Sequence, residues 1–457
     1  EIATFFESYQ VQFGITEVKA AFWFSKSASN RIYRISFNQR ALTEQFIKQL
    51  EASGKVIYAE RIPISRKALV PNDLGPNSSA TGGQWYLYKI KAQQAWDIQA
   101  GGVASVKVGV VDDAVDYTHP ELSGVILPGY DIASDDFDVM PPDPNWDHGT
   151  HVCGLIGANT NNSAGMASLA YGVKIYPVKV TNDTDPNTLI NEYEGVAYAV
   201  TQGVDVVNMS WGSTIPYQTA QTIINEAYNA GVVLVAAAGN DNSSVVNYPA
   251  GYPGVICVAA TSSIDTRSSF SSFGSSVDIS APGSLIWSLA PENTTAIKNG
   301  TSFAAPLVTA AVALMLSNDP SLSPDQLEEC LLNSTDNIDI FNPNYIGQLG
   351  TGRLNIQQAL ICLNAESQPI NAWLSNVVSP SQSSCESNLT PFIRVVNSGT
   401  DTLESMTITS KIDNGFTYTN EWNGEILPGL SALIPVHNQQ VVPGNHLLQV
   451  TVLGLIN

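Results

Sequence analysis

The chain predicts an α/β domain with a mostly parallel sheet, preceded by a small α+β unit and followed by an all-β sandwich. Three observations carry that prediction. Buried-strand and helix patterns alternate between residues 84 and 367. The first 67 residues mix both periods on a small scale. From residue 368 only short strands remain, separated by Asn, Gly, Pro and Ser turns.

At 457 residues the chain is longer than one average domain. Apolar residues make up 44% of it, enough for a large core. Charged residues are only 13%, yet 41 acids against 20 bases give a net charge of −21. So acidic a chain is a poor ligand for nucleic acid or anionic membranes, and neither partner is expected. It suits a monomer that is secreted or held at the cell surface, or one that binds cations. No apolar run reaches the roughly 18 residues of a spanning helix, so no membrane span is expected. No basic-then-apolar signal opens the chain at Glu1, as expected if an export signal has been removed or was never included. Five cysteines are few and lack metal-ligand spacing. Cys153 and Cys257 lie in apolar runs and read as buried thiols. Cys330 and Cys362 fall on neighbouring predicted helices and can pair in an oxidising compartment; Cys385 is left over.

Residues 17–24 and 31–37 alternate as strands, 42–52 carry helical spacing, and 55–64 return to strand. This unit ends at residue 67. Residues 68–83, rich in Gly, Asn and Ser, read as a linker. Within 84–367, strands are predicted at 106–111, 174–180, 204–210, 232–238 and 255–260, with helices at 189–202 and 219–230. Such alternation implies a parallel sheet covered on both faces, with functional groups at the carboxyl ends of its strands. Residues 368–457 hold short strands at 372–378, 392–396, 405–412, 416–421, 432–436 and 446–453.

Four segments of the middle region carry chemistry. Val108-Gly109-Val110-Val111-Asp112 is a buried strand ending in a carboxylate, which suits a group that orients a histidine. Asp147-His148-Gly149-Thr150-His151-Val152-Cys153-Gly154 opens a helix with small residues. Val235-Ala236-Ala237-Ala238-Gly239-Asn240 ends a strand in an amide, a good oxyanion donor. Asn299-Gly300-Thr301-Ser302-Phe303-Ala304-Ala305-Pro306 is a tight loop feeding an apolar helix. Ser302 then sits at a helix start, where its own N–H is free to hold a developing oxyanion. Pro306 lies in the first turns, where a missing N–H costs least.

In the order Asp, His, Ser these segments resemble the subtilisin-like serine proteases, over the whole middle region. The resemblance has three departures: Asp112-Asp113-Ala114 where the family has Asp-Thr-Gly or Asp-Asp-Gly, Cys153 for Ala, and Phe303 for Met. The family's chemistry then implies that His148 takes the Ser302 proton, Asp112 fixes the histidine tautomer, and Asn240 with the Ser302 N–H holds the tetrahedral oxygen. Ala114 would cost on the order of 1 kcal/mol if its backbone needed positive φ. His119 and His151 read as structural hydrogen-bonding residues.

The resemblance also implies substrate groups. Ser210-Trp211-Gly212 matches the strand that pairs with substrate backbone. With Ala237, Ala238, Gly239 and Asn247 it would line the pocket before the scissile bond. Asp113 is expected to meet a basic side chain two residues before the cut, as in kexin-like members. Calcium is expected to bind Asp116 and the loop of Thr160, Asn162, Ala164 and Met166, an oxygen-only ligand set. A second acidic stretch, residues 130–138, resembles the acidic loop of kexin-like members.

The first 67 residues resemble the family's propeptide, which assists folding and blocks the site, with self-cleavage expected at 66–69. An earlier strand of that unit is expected to be missing. The C-terminal region, with Cys385 and Trp422-Asn423-Gly424, resembles the sandwich modules of exported Bacteroidetes-type proteases. Further domains beyond Asn457 fit the same resemblance. The function implied is a secreted serine endopeptidase made as an inhibited precursor. Two other readings use the same residues: a binding protein acting through the sandwich with weak protease activity, and a transpeptidase, which begins from the same acyl-enzyme.

Overall fold

The computed structural model describes residues 2–21, 31–37, 43–59 and 70–365, and, further on, 372–379, 388–397, 399, 401–413, 415–427, 431–442, 444 and 446–456. The chain divides into two compact units, Glu1–Lys67 and Ala68–Asn457.

The first unit contains α1 (Ile2–Phe13), β1 (Ile15–Ala20), β2 (Tyr33–Phe37) and α2 (Thr43–Ala52). The antiparallel pair β1–β2 and both helices enclose Phe6, Phe13, Ile15, Phe46 and Leu50. The sequence reading missed α1. Its signal was present: Phe5, Tyr9 and Phe13 recur every four residues along one face, the first two rings edge-on at 5.5 Å and the last two tilted at 6.2 Å. Residues 55–59 are bends and irregular backbone rather than the expected strand, whose remaining residues, 60–64, lie outside those described, as do 66–69.

In the second unit α3 (Trp85–Lys89) and α4 (Ala92–Trp96) lead into β3 (Lys107–Asp112), β4 (Tyr130–Asp131), α5 (His148–Gly157), β5 (Lys174–Lys179), α6 (Glu192–Thr201), β6 (Val206–Met209), α7 (Gln218–Asn229), β7 (Val233–Ala237), β8 (Val255–Thr261) and β9 (Ile279–Pro282). A hairpin of β10 (Ile286–Ala290) and β11 (Thr294–Lys298) precedes α8 (Thr301–Asn318), α9 (Pro324–Asn333) and α10 (Ile356–Ala365). The strands form one seven-stranded sheet in the order β4-β5-β3-β6-β7-β8-β9, parallel throughout. Neighbouring residues of a strand feed opposite faces. Val110, Val206 and Val235 pack with α5 and α8 on one side. Val111, Val207 and Leu234 pack with α6 and α7 on the other. The chain leaves β3 for β5 on one side and returns to β6 on the other. The crevice at the carboxyl end of β3 is therefore a topological switch point.

Among the described residues one helix, α8, is long and apolar enough to cross a membrane. Its 18 residues exceed the apolar run read from the sequence because Thr301, Ser302, Ser317 and Asn318 extend it. It is a core helix: residues 303–316 are buried, against β6, β7, β8 and β9. A disulfide joins Cys330 of α9 to Cys362 of α10, and Cys153 and Cys257 are buried free thiols; Cys385 lies outside the described residues.

The remaining strands are β12 (Ala372–Ser379), β13 (Asn388–Leu389), β14 (Phe392–Asn397), β15 (Leu403–Ile412), β16 (Tyr418–Ile426), β17 (Ser431–Pro435), β18 (Gln439–Gln440) and β19 (Leu448–Ile456). Sheets β12-β14-β17 and β16-β15-β19 contribute Ile393, Val395 and Ile434, and Leu403, Met406 and Ile408, to a common core. This is a β-rich region built as two facing layers.

Candidate active site

Asp112 ends β3, an inner strand of the sheet, and is 3% exposed. His148 is the first residue of α5, and its Nδ1 lies 2.7 Å from Asp112 Oδ1. The small residues of α5 allow this approach. A Cβ on Gly149 would lie 2.4 Å from the Ala114 carbonyl oxygen and 3.1 Å from Asp112 Cβ. Ala114 itself does not adopt positive φ and is buried, so the family's usual glycine is not required here.

Ser302 is the second residue of α8. Asn240 accepts from Thr301 N–H at 2.9 Å, and Gly300 O accepts from Phe303 N–H at 3.1 Å. The Ser302 N–H between them has no protein acceptor among the described residues. Asn240 Oδ1 also receives the Thr301 hydroxyl at 3.0 Å, which orients its amide so that the NH₂ end is left over. His148, Asn240, Ser302 and Phe303 line one cavity of about 430 Å³. The Ser302 hydroxyl donates to the Ser210 carbonyl at 3.1 Å rather than to the imidazole, a looseness usual before substrate binds.

Pro306 has a consequence the sequence reading missed. It removes the N–H that would bond the Ser302 carbonyl four residues back. The Ser210 hydroxyl donates to that carbonyl instead, at 2.8 Å. Asn208 at 0% exposure donates to Ser210 Oγ at 2.9 Å and accepts from the Thr309 hydroxyl of α8 at 2.9 Å.

Asp113, expected to meet a basic substrate side chain, has most of its carboxylate taken by backbone donors. It borders the cleft but is 4% exposed. Its Oδ1 accepts from Ala114 N–H at 2.5 Å and Gly149 N–H at 2.7 Å, and its Oδ2 from His148 N–H at 3.1 Å. Burial and then the Asp112 charge push its carboxyl up to about 7, against the pull of His148 and these N–H groups. Burial pulls the His148 pKa down. The charge and hydrogen bond of Asp112, followed by the Asp113 charge, outweigh it and hold His148 above its ordinary value of 6.5; Lys298 opposes them. Lys298 of β11 is paired with Asp147, just before α5. His119 and His151 contact carbonyls of Thr294 and Ala296 in the hairpin, each at 3.3 Å, as structural residues should. Among the described residues Asp112, Asp113 and His148 are the metal-ligand types gathered within 4.8 Å of one another. Their partners are each other and backbone N–H groups.

A second cavity, of about 520 Å³, runs from His148 past Ser210, Trp211 and Gly212. Trp211 Nε1 donates to the Val111 carbonyl at 2.9 Å, and its ring meets Tyr193 edge-on at 5.3 Å. Ala238 and Asn247 are not on that wall. Ala238 is 4% exposed, and Asn247, 7% exposed, donates to its carbonyl at 2.9 Å. Asn247 therefore braces the Ala238–Gly239 turn from behind. Gly239 has φ +104°, and a Cβ there would lie 2.2 Å from Asn247 Nδ2.

Asp116 is not a ligand in the way expected. Both of its oxygens are taken: Oδ1 by the Thr118 N–H and hydroxyl, Oδ2 by Glu292 N–H at 3.0 Å. The acids that meet the 160–166 loop are Glu121 and Asp73. Asn162 donates to Glu121 Oε1 at 3.1 Å through its amide and to Asp73 Oδ2 at 2.9 Å through its N–H. Glu121 Oε2 and Asp73 Oδ1 are buried without a protein donor among the described residues. Burial, with Asp73's charge adding to it, raises the Glu121 pKa. The sequence held one signal, an acid in the apolar turn His119-Pro120-Glu121-Leu122. Asp73 came from the supposed linker. In the acidic stretch, Asp131 is buried in an ion pair with Lys179 at 2.8 Å.

Residues 104–354 match the model of the Subtilase family. Over 268 residues the chain is 40% identical to thermitase of Thermoactinomyces vulgaris, covering 59% of this chain and 92% of that one. It is 38% identical to a thermophilic serine proteinase of a Bacillus species, covering 60% and 66%. It is 34% identical to subtilisin NAT of Bacillus subtilis subsp. natto, covering 70% and 79%. Among solved structures, a protease from Pseudoalteromonas arctica matches with a TM-score of 0.54 at 29% identity, covering 61% of this chain and 96% of that one. With a parallel sheet that carries an Asp–His pair at its switch point, these matches define a serine hydrolase of the subtilisin type. The chain belongs to the subtilase family, and it is a serine endopeptidase.

Proposed function

We propose that Asp112, His148 and Ser302 are the catalytic triad of this endopeptidase. The 2.7 Å contact between His148 Nδ1 and Asp112, beside a cavity that Ser302 shares, carries the reading. Ser302 Oγ attacks the scissile carbonyl as His148 Nε2 takes its proton. Asp112 holds the tautomer and steadies the imidazolium. The Ser302 N–H and the Asn240 NH₂ receive the oxyanion, and His148 then protonates the leaving amine. Water resolves the acyl-enzyme by the same steps in reverse. Substrate backbone lies along Ser210-Trp211-Gly212.

Calcium fits a site made by the side chains of Asp73, Glu121 and Asn162 with carbonyls of Thr160, Ala164 and Met166. Two buried carboxylate oxygens without donors support it, because such oxygens suit a hard cation. Asp73 and Glu121 would be neutralised by a cation held there, and residues 72–73 would be tied to the loop through it. It takes no part in peptide cleavage.

The first unit acts as an intramolecular propeptide, residues 68–83 as linker, 84–367 as the catalytic domain, and 368–457 as a sandwich module of the exported Bacteroidetes type. The protein works as a secreted or surface-held monomer. Its separate compact core supports the propeptide assignment. Intact mass of the purified chain over time, beside Ser302→Ala, tests these roles. Wild type should split between residues 66 and 69 while the variant stays whole. Splitting of both, or of neither while an added peptide is cleaved, refutes self-processing.

A further inference from the structure

Asp113 is a buried carboxylate at the cleft to which the reaction above gives no step. Building on the assignment of His148 as the base, we propose that Asp113 is a positioning residue for it. Its carboxylate pins the first turn of α5 to the loop that ends β3, and its charge steadies the imidazolium formed when His148 accepts the Ser302 proton.

The geometry supports each half. One oxygen takes the N–H groups of Ala114 and Gly149, and the other takes the N–H of His148 itself. The same carboxylate therefore holds both backbones whose side chains form the Asp112–His148 contact. Its own backbone is fixed as well, since the Thr181 hydroxyl after β5 donates to the Asp113 carbonyl at 2.6 Å. There is no slack between the two segments, because a Cβ on Gly149 would already overlap the Ala114 carbonyl. A loop shift would pass directly into the Asp–His distance.

Three N–H donors, two of them at a helix start, and the His148 imidazolium favour the ionised carboxylate, against the burial and the Asp112 charge that push it up to about 7. The charged groups facing it are Asp112 on β3 and His148 on α5. Lys298 on β11 acts on His148 and is bound to Asp147, and Cys153 on α5 is a buried thiol. The three donors occupy most of the acceptor capacity of Asp113. A substrate cation would have to compete for what is left at a residue only 4% exposed.

The test uses the full chain with Asp113→Asn and Asp113→Ser. The rate of Ser302 sulfonylation by phenylmethanesulfonyl fluoride is followed against pH. kcat and KM are measured on matched peptides with Arg or Ala two residues before the cut. Loss of the negative charge lowers the His148 pKa, so the acid limb should move to lower pH in both variants. kcat should fall about tenfold or more, with KM within about twofold and equal loss on both peptides. An unmoved acid limb, or a loss confined to the Arg peptide, overturns the proposal; the second result would make Asp113 a substrate contact. If neither variant folds, Ser302→Ala with Asp113 intact carries the test by NMR. The Gly149 amide should then shift together with the His148 imidazole titration, and a silent amide overturns the proposal. His148→Ala separates the two readings, because wild-type sulfonylation in that variant refutes the base assignment itself.

Discussion

Ser210 and Ser302 exchange two hydrogen bonds: the Ser210 hydroxyl donates to the Ser302 carbonyl at 2.8 Å, and the Ser302 hydroxyl donates to the Ser210 carbonyl at 3.1 Å. The first bond exists because Pro306 offers no N–H to that carbonyl. The second holds the Ser302 hydroxyl against the backbone of Ser210-Trp211-Gly212.

Ser210→Ala should leave the Ser302 carbonyl short of a donor and lower stability by about 1–3 kcal/mol. Pro306→Ala restores a helical N–H to the same carbonyl. In the double variant the loss should therefore be smaller than the sum of the single changes, which denaturant unfolding of all four proteins can read. Strict additivity would show that the proline and Ser210 are not coupled.

Asn240→Ala should lower kcat about 100- to 1,000-fold with little change in KM, the loss that follows removal of one oxyanion donor; that magnitude was set on a member of this family. A change mainly in KM would place Asn240 in ground-state binding instead.

The acid limb of kcat/KM should lie above pH 6.5, because Asp112 and Asp113 together outweigh burial at His148 and the base must be neutral to act. Lys298→Ala removes a charge that lowers the His148 pKa and also frees Asp147. It should move the limb to still higher pH. A pH–rate profile with a limb unchanged or lowered in that variant contradicts the electrostatic account.

Chelation should lower the melting temperature. Calcium at about 100 times its dissociation constant would contribute ~2.7 kcal/mol. Glu121→Gln should shrink that calcium-dependent shift, whereas Asp116→Asn should leave it in place. Equal melting with calcium and with chelator removes the site from the account.

The motif residues and the parallel sheet were legible because their signals are local. Asp112 ends a run of valines, Ser302 follows a glycine before an apolar helix, and each strand announces itself by burial. Partnerships were less legible, since they depend on which distant segments the fold brings together. Asp116 has the right chemistry for a ligand, but Glu292, 176 residues away, takes one of its oxygens. Asp73 looked like linker until residues 159–166 folded against it. The resemblance implies Asn247 at the pocket, yet its amide faces the Ala238 carbonyl. Helix α1 was missed for a different reason: its aromatic spacing was helical, but the residues are β-favouring in isolation.

Peptide cleavage is assigned to Ser302 activated by His148. Labelling the purified protein with phenylmethanesulfonyl fluoride and mapping the adduct by mass spectrometry tests that assignment. A single adduct on Ser302 is expected, with loss of peptide cleavage in step with labelling and neither labelling nor cleavage in Ser302→Ala. An adduct on another serine, or full peptide cleavage by Ser302→Ala, would contradict it.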